Sequence, residues 1–232
     1  DLKEVLEHNK EKYIEELKNL VGIDTHDLGH GIDGGLEKQG QEYMVNLFES
    51  MGADEITVDP MDEAVIQESY KSLLFNGHID VMPAEMEDGW TNPPFEPVIR
   101  DGKMYGRGCT DMKGGLMASV MAVKLLQDAG YELPGDVTIT SVCDEEGGGN
   151  GSIQAVMRGL KADGVVNCEP TDDTLILAHM GWVFFQVEVE GIAVHSGLKL
   201  AGVNAIEKAY LLMDAINELE HKWLLKYKHP LL

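Results

Sequence analysis

Residues 73–81 read LLFNGHIDV, an apolar run that ends on a histidine and an aspartate two positions apart. Side chains at i and i+2 of a strand share a face, so the Asp80 carboxylate can reach the ring nitrogen of His78 that a metal would leave free. A partner of that kind sets the tautomer and makes the imidazole a better ligand. Taken alone, the stretch also describes a strand end with a satisfied histidine and a solvated aspartate. Three more acid-rich clusters follow it in order.

The second, GRGCTDMKGG at 106–115, puts Asp111 where a glycine-rich loop turns into a helix carrying Leu116, Val120 and Val123 at near-helical spacing. Helix amides facing that carboxylate would stabilise its charge and leave two oxygens to bridge cations, although aspartates near helix starts are commonly plain caps. The third, DEEGGGNG at 144–151, follows the strand-like GDVTITSVC. Three adjacent carboxylates repel one another, and a cation or shared proton would relieve them. The fourth, VVNCEPT at 165–171, ends an apolar strand on Glu169, with Pro170 stopping the ladder. Singly, Glu169 reads as a surface carboxylate. Together, His78, Asp111, Glu146 and Glu169 form a mixed imidazole and carboxylate set suited to zinc, with cobalt or manganese as alternatives.

Predicted strands at 54–59, 64–67, 72–77, 135–142 and 163–168 alternate with helices at 111–129 and 150–158, after two opening helices marked by Leu2 to Leu20 and by Tyr43 to Met51. Such alternation predicts an α/β fold, a mostly parallel mixed sheet flanked by helices. Ligands of such sheets gather at the carboxyl ends of strands, which is where His78, the 144–146 run and Glu169 fall. VIRDGKMYG at 98–106 predicts a hairpin closed by Asp101-Gly102. From Met180 the pattern changes to an alternating strand, GWVFFQVEVEG, and a helix from Val203 through Leu225.

HIDVMP, GRGCTDMKGG, DEEGGGNG, CEPT and HSGLKLAGVNAI together resemble the metallopeptidase and amidohydrolase family of acetylornithine deacetylase, succinyl-diaminopimelate desuccinylase, aminoacylase and carboxypeptidase G. The resemblance implies a zinc-exopeptidase-like catalytic domain over residues 1–179, lacking its final part, and over 180–232 the first strand and helix of a ferredoxin-like α+β lid. It implies that His78, Asp111 and Glu169 hold one metal and that Asp111 bridges to a second held by Glu146. Asp80 would orient His78, Glu145 would be the general base, and His195 would polarise the substrate carbonyl, often in the partner subunit's site. Asn204 is a weaker candidate for the same polar network. A cis peptide after the bridging aspartate, Asp111-Met112, comes from the resemblance alone. The family's second metal-binding histidine lies farther downstream than Leu232, and His229 stands in the wrong context to replace it, so the resemblance implies the front part of a longer protein.

The implied activity is hydrolysis of an amide bond in a small N-acyl amino acid or related molecule, with two zinc ions per full-length subunit and a homodimer formed through the lid. A dipeptidase or carboxypeptidase of the same family, or a non-catalytic metal-binding or dimerisation fragment, are the alternatives. Glu169, where peptidases acting on free amino termini tend to carry aspartate, favours the deacylase.

A net charge of -23, from 41 acids against 18 bases, argues against nucleic acid or an anionic membrane as partner. No apolar run is long enough to span a bilayer. The three cysteines show no metal spacing, so free thiols in a reducing cytoplasm are expected.

Overall fold

The structure, a computed structural model, describes residues 1–26, 36–58, 72–172, 174–179, 181 and 185–228. The chain divides into two compact units, Asp1–Pro170 and Thr171–Leu232.

In the first unit the central strand β1 (Ser72–His78) lies between β4 (Asp136–Val142) and β5 (Gly164–Asn167), parallel to both. Strands β2 (Val98–Arg100) and β3 (Lys103–Tyr105) form a separate hairpin, turned through Asp101 and Gly102, both at positive φ as a two-residue hairpin turn of the primed type requires. Helices α1 (Leu2–Val21), α2 (Glu37–Ser50), α3 (Lys113–Asp128) and α4 (Asn150–Met157) complete the unit. The core gathers Leu20 of α1, Met44 and Leu47 of α2, Leu116, Met117 and Val120 of α3, and Ile79 just past β1.

The register places the site. His78 pairs with Val142 and Asn76 with Asn167, so the residues that follow β1, β4 and β5 emerge at one edge of the sheet. A polar ladder one step below His78 holds the three strands level: Thr140 Oγ1 donates to Asn76 Oδ1 at 2.7 Å, and Asn76 Nδ2 donates to Asn167 Oδ1 at 2.9 Å. Strand alternation puts Asn76 on the face of His78.

Two expected strands differ. Residues 54–58 join no ladder among the described residues, and 59–71, which include the strand expected at 64–67, lie outside them. Of the alternating stretch after Met180, residues 185–190 likewise form no ladder, while 180 and 182–184 lie outside the described residues. Alternation sets the faces of a strand, but a ladder needs a neighbouring backbone to take its hydrogen bonds. Among the described residues of this second unit the regular pieces are a 3₁₀ turn at Ser196–Ala201, an antiparallel bridge between Ile192 and Val203, and α5 (Ala205–Lys226).

Gly115, in the first turn of α3, lets that helix close on the end of β5: a Cβ there would run into the carbonyl oxygen of Cys168. Gly115→Ala is expected to lower stability by roughly 1–3 kcal/mol, the cost of overpacking, although alanine is otherwise the better helix former. Urea unfolding measures it, and an unchanged or raised midpoint would refute the close approach.

Tyr13 ties α1 to α3 through its hydroxyl, which donates to Asp128 at 2.8 Å. Burial, then the Asp128 carboxylate, push the phenol up to about 12 from 10.0. Because the folded-state value lies above the unfolded one, the stability this group contributes is present below pH 10 and is lost as pH rises towards 12. Tyr13→Phe should cost about 1 kcal/mol at neutral pH and flatten that alkaline loss, read from thermal midpoints across the window.

Candidate functional site

His78 is the last residue of β1 and is 1% exposed. Its backbone N–H donates to Met112 Sδ at 3.1 Å, which fixes the strand end against the start of α3. The ring Nδ1 sits 2.8 Å from the carbonyl oxygen of Asp80 and 3.5 Å from the Asp80 carboxylate. The nearer acceptor is thus the backbone of Asp80, with the carboxylate behind it. This arrangement makes Nδ1 the donor and turns Nε2 towards the carboxylates, a donor to them while protonated and a ligand once a metal takes the proton's place.

Around Nε2 stand Asp111 Oδ1 at 3.1 Å, Glu145 Oε2 at 3.7 Å and Glu169 Oε1 at 3.7 Å. One ligand atom each from His78, Asp111 and Glu169 can be chosen so that all lie within 4.8 Å of one another. These side chains come from three separate places: the end of β1, the loop entering α3, and the segment past β5. The peptide bond between Asp111 and Met112 is cis.

The 144–146 run is divided by its own backbone. Asp144, at positive φ, accepts from the Asn150 side-chain amide and from Gly149 N–H through its carbonyl, so it shapes the turn into α4. Glu146 donates its N–H to Asp80 Oδ2 at 3.0 Å, and its carboxylate accepts from Met82 N–H at 3.2 Å. Glu145 points its carboxylate at the His78 ring.

Burial and neighbouring charge shift His78, Asp80, Glu145 and Glu146. Burial opposes a charge on His78, but Asp80 and Glu169 outweigh it and raise the ring to about 11. Burial alone would raise Asp80; hydrogen bonds from His78 and from the Glu146 N–H hold it below its ordinary value. Glu145 is pushed up by burial and by Glu169, Asp80 and Asp111, with His78 opposing. Glu146 is pushed up by burial and then by Asp111. Without a cation the imidazolium is the charge that these acids share. The donor set, one imidazole nitrogen with several carboxylates on a buried floor, fits a divalent metal.

Cys109 and Cys143 are pushed up to about 11, in both cases chiefly by burial, so they are protonated thiols at neutral pH. All three cysteines are free. His195 belongs to the second unit, where it caps the 3₁₀ turn: its Nδ1 accepts from Gly197 N–H at 3.1 Å. Asn204 caps α5 by accepting from Ile206 and Glu207 N–H, and Lys199 pairs with Glu207 at 2.6 Å.

Two polar residues of the first unit escaped the motif reading. Thr25, fully buried, donates its hydroxyl to Ile79 O at 2.6 Å and accepts Val81 N–H at its carbonyl, which brackets Asp80 from both sides. Lys113 is fully buried on the inward stripe of α3 with Leu116, Met117 and Val120. A lysine on an apolar stripe is a signal that sequence carries.

N-formyl-4-amino-5-aminomethyl-2-methylpyrimidine deformylase of Bacillus subtilis is 30% identical over 99% of this chain and 57% of its own length. A probable succinyl-diaminopimelate desuccinylase of Staphylococcus epidermidis is 34% identical over 78% of this chain and 46% of its own. The chain therefore spans about half the length of the curated relatives it matches. Among solved structures, a tripeptidase from Staphylococcus aureus superposes with a TM-score of 0.61 at 16% identity, over 89% of this chain and 56% of that one. A di-peptidase from Saccharomyces cerevisiae gives 0.58 at 21% identity, over 72% and 40%. The α/β fold with helices flanking a parallel sheet is theirs. The model of peptidase family M20/M25/M40 matches residues 74–220, from the strand that ends in His78 into the last third of α5, and the chain belongs to that family.

Proposed function

We propose that this protein hydrolyses the amide bond of a small N-acyl substrate at a two-metal centre. The convergence of His78, Asp111 and Glu169 beside Glu145, at one edge of a parallel sheet, carries the reading. His78, Asp111 and Glu169 would hold one ion; Asp111 and Glu146 would hold the other. Zinc is the ion we assign, with cobalt or manganese as working substitutes. Bound divalent ions supply Lewis acidity at a carbonyl and make water acidic enough to lose a proton near neutral pH.

Glu145 would take a proton from the water whose oxygen bonds to the carbonyl carbon, and return it to the nitrogen as the C–N bond breaks. Burial raises its carboxyl above the ordinary glutamate range, the direction that strengthens a general base. Asp80 and its carbonyl keep His78 in the ligating tautomer. The deformylase and desuccinylase names of the curated relatives support a small N-acyl group as the part removed. We assign residues 180–232 to a lid through which two copies pair, with His195 directed at the substrate carbonyl. The three free thiols suit a reducing cytoplasm.

Glu145→Gln should lower turnover on N-formyl or N-succinyl substrates by about a hundredfold or more with metal content nearly unchanged, whereas Glu146→Gln should lose metal. Elemental analysis beside the activity assay reads both. Metal loss in Glu145→Gln with retention in Glu146→Gln would exchange the two roles, and turnover on dipeptides alone would replace deacylation by peptidase activity.

His195→Ala should reduce turnover while both metals stay bound. Mixed with Glu145→Gln under demonstrated subunit exchange, it should recover part of the activity if His195 serves the partner's site. Absence of recovery places His195 in its own subunit's site or outside catalysis.

A further inference from the structure

Lys113 lies two residues past Asp111 and its side chain is wholly withdrawn from water. Its ammonium donates to the carbonyl oxygens of Leu20 at 3.2 Å and Ile23 at 2.7 Å, at the C-terminal end of α1. Exposed carbonyls at a helix C-terminus carry partial negative charge and attract a cation. The lysine stem runs beside Gly108, where a Cβ would meet Lys113 Cδ at 3.1 Å and Val81 Cγ1 at 2.9 Å. Loop 106–112, Lys113 and the segment beyond β1 are therefore in van der Waals contact.

The backbone that Lys113 grips continues directly to Thr25, whose hydroxyl donates to Ile79 O at 2.6 Å and whose carbonyl accepts Val81 N–H at 3.2 Å. Residues 20–25 thus form a strap. One end is held by the helix that starts behind Asp111, and the other brackets Asp80, the residue that orients His78. An apolar side chain at 113 would fill the same volume and leave the carbonyls of Leu20 and Ile23 without this donor, so directed bonds to the rest of the site would hold the strap at its Thr25 end and no longer at its α3 end. A buried ammonium is costly unless its donors find acceptors, so the fixed carbonyls and the lysine specify one another.

We propose that Lys113 is a positioning residue for the metal centre, acting through the 20–25 strap to hold the Asp111 loop and the His78–Asp80 strand end at ligating separation. This rests on the metal-binding reading above. Positioning partners outside the ligand set commonly change metal affinity by about 10–100-fold when removed.

The test is a Co²⁺ titration of the intact protein, followed by the visible absorption of the bound ion, in wild type, Lys113→Met, Thr25→Val and the double variant. Each single variant should weaken Co²⁺ binding about tenfold or more and alter the band envelope while far-UV circular dichroism stays native. The double variant should lose little beyond the weaker-binding single variant, since either cut releases the same strap. If Lys113→Met does not fold, Thr25→Val, which removes one hydroxyl at constant shape, carries the test alone. Wild-type affinity and spectrum in a folded variant would overturn the strap, whereas failure of the wild type to bind Co²⁺ would overturn the metal reading instead.

Discussion

Four carboxylates stand between 3.1 and 3.7 Å from the ring nitrogens of one buried imidazole, and the rest of the first unit is organised around that crowding. Acids so close repel one another unless a positive charge sits among them. The parallel register, the early start of α3 and the polar ladder through Asn76 bring the acids to one edge of the sheet. None of these devices relieves the repulsion. That falls to the imidazolium or to the cations that would replace its proton, so the architecture supplies position and leaves charge balance to an ion.

Adjacent glutamates in one loop have separate environments because their backbone is used differently. The amide of Glu146 is committed to Asp80 and its carboxylate to the amide of Met82, while Glu145 faces the ring. Residue type and order cannot distinguish such neighbours. Hydrogen bonds to the segment past β1 do, and Asp80 takes part in both assignments, holding the Glu146 amide with one oxygen and standing behind His78 with the other.

Much of the fold and most residues of the candidate site are legible in the sequence because they lie where a short local pattern ends: His78 after Leu73–Phe75, Glu145 after β4, Glu169 after β5. Strand ends and helix starts are local properties. The strap is not legible for the opposite reason, since the acceptors of Lys113 and the partners of Thr25 are backbone groups distant in sequence, and a carbonyl has no letter of its own. The absent ladder at 54–58 is the same lesson: alternation marks a face, while pairing depends on a neighbour elsewhere in the chain. Asn76 lies between these cases. It reads as an interruption of an apolar run, and only the register shows that it joins three strands.

The polar ladder bonds Asn76 to Asn167 across 91 residues of sequence. Ends so far apart meet only after a large loss of chain entropy, and topologies dominated by such distant pairings are slow to form. During synthesis, a chain that has not yet released β5 has β1 and β4 but lacks Glu169, so no nascent stretch short of the fourth motif can present the His78, Asp111 and Glu169 group proposed to hold the first ion. An ion that needs the whole set then binds the native state and not its precursors, and its binding free energy adds to the stability of the finished fold.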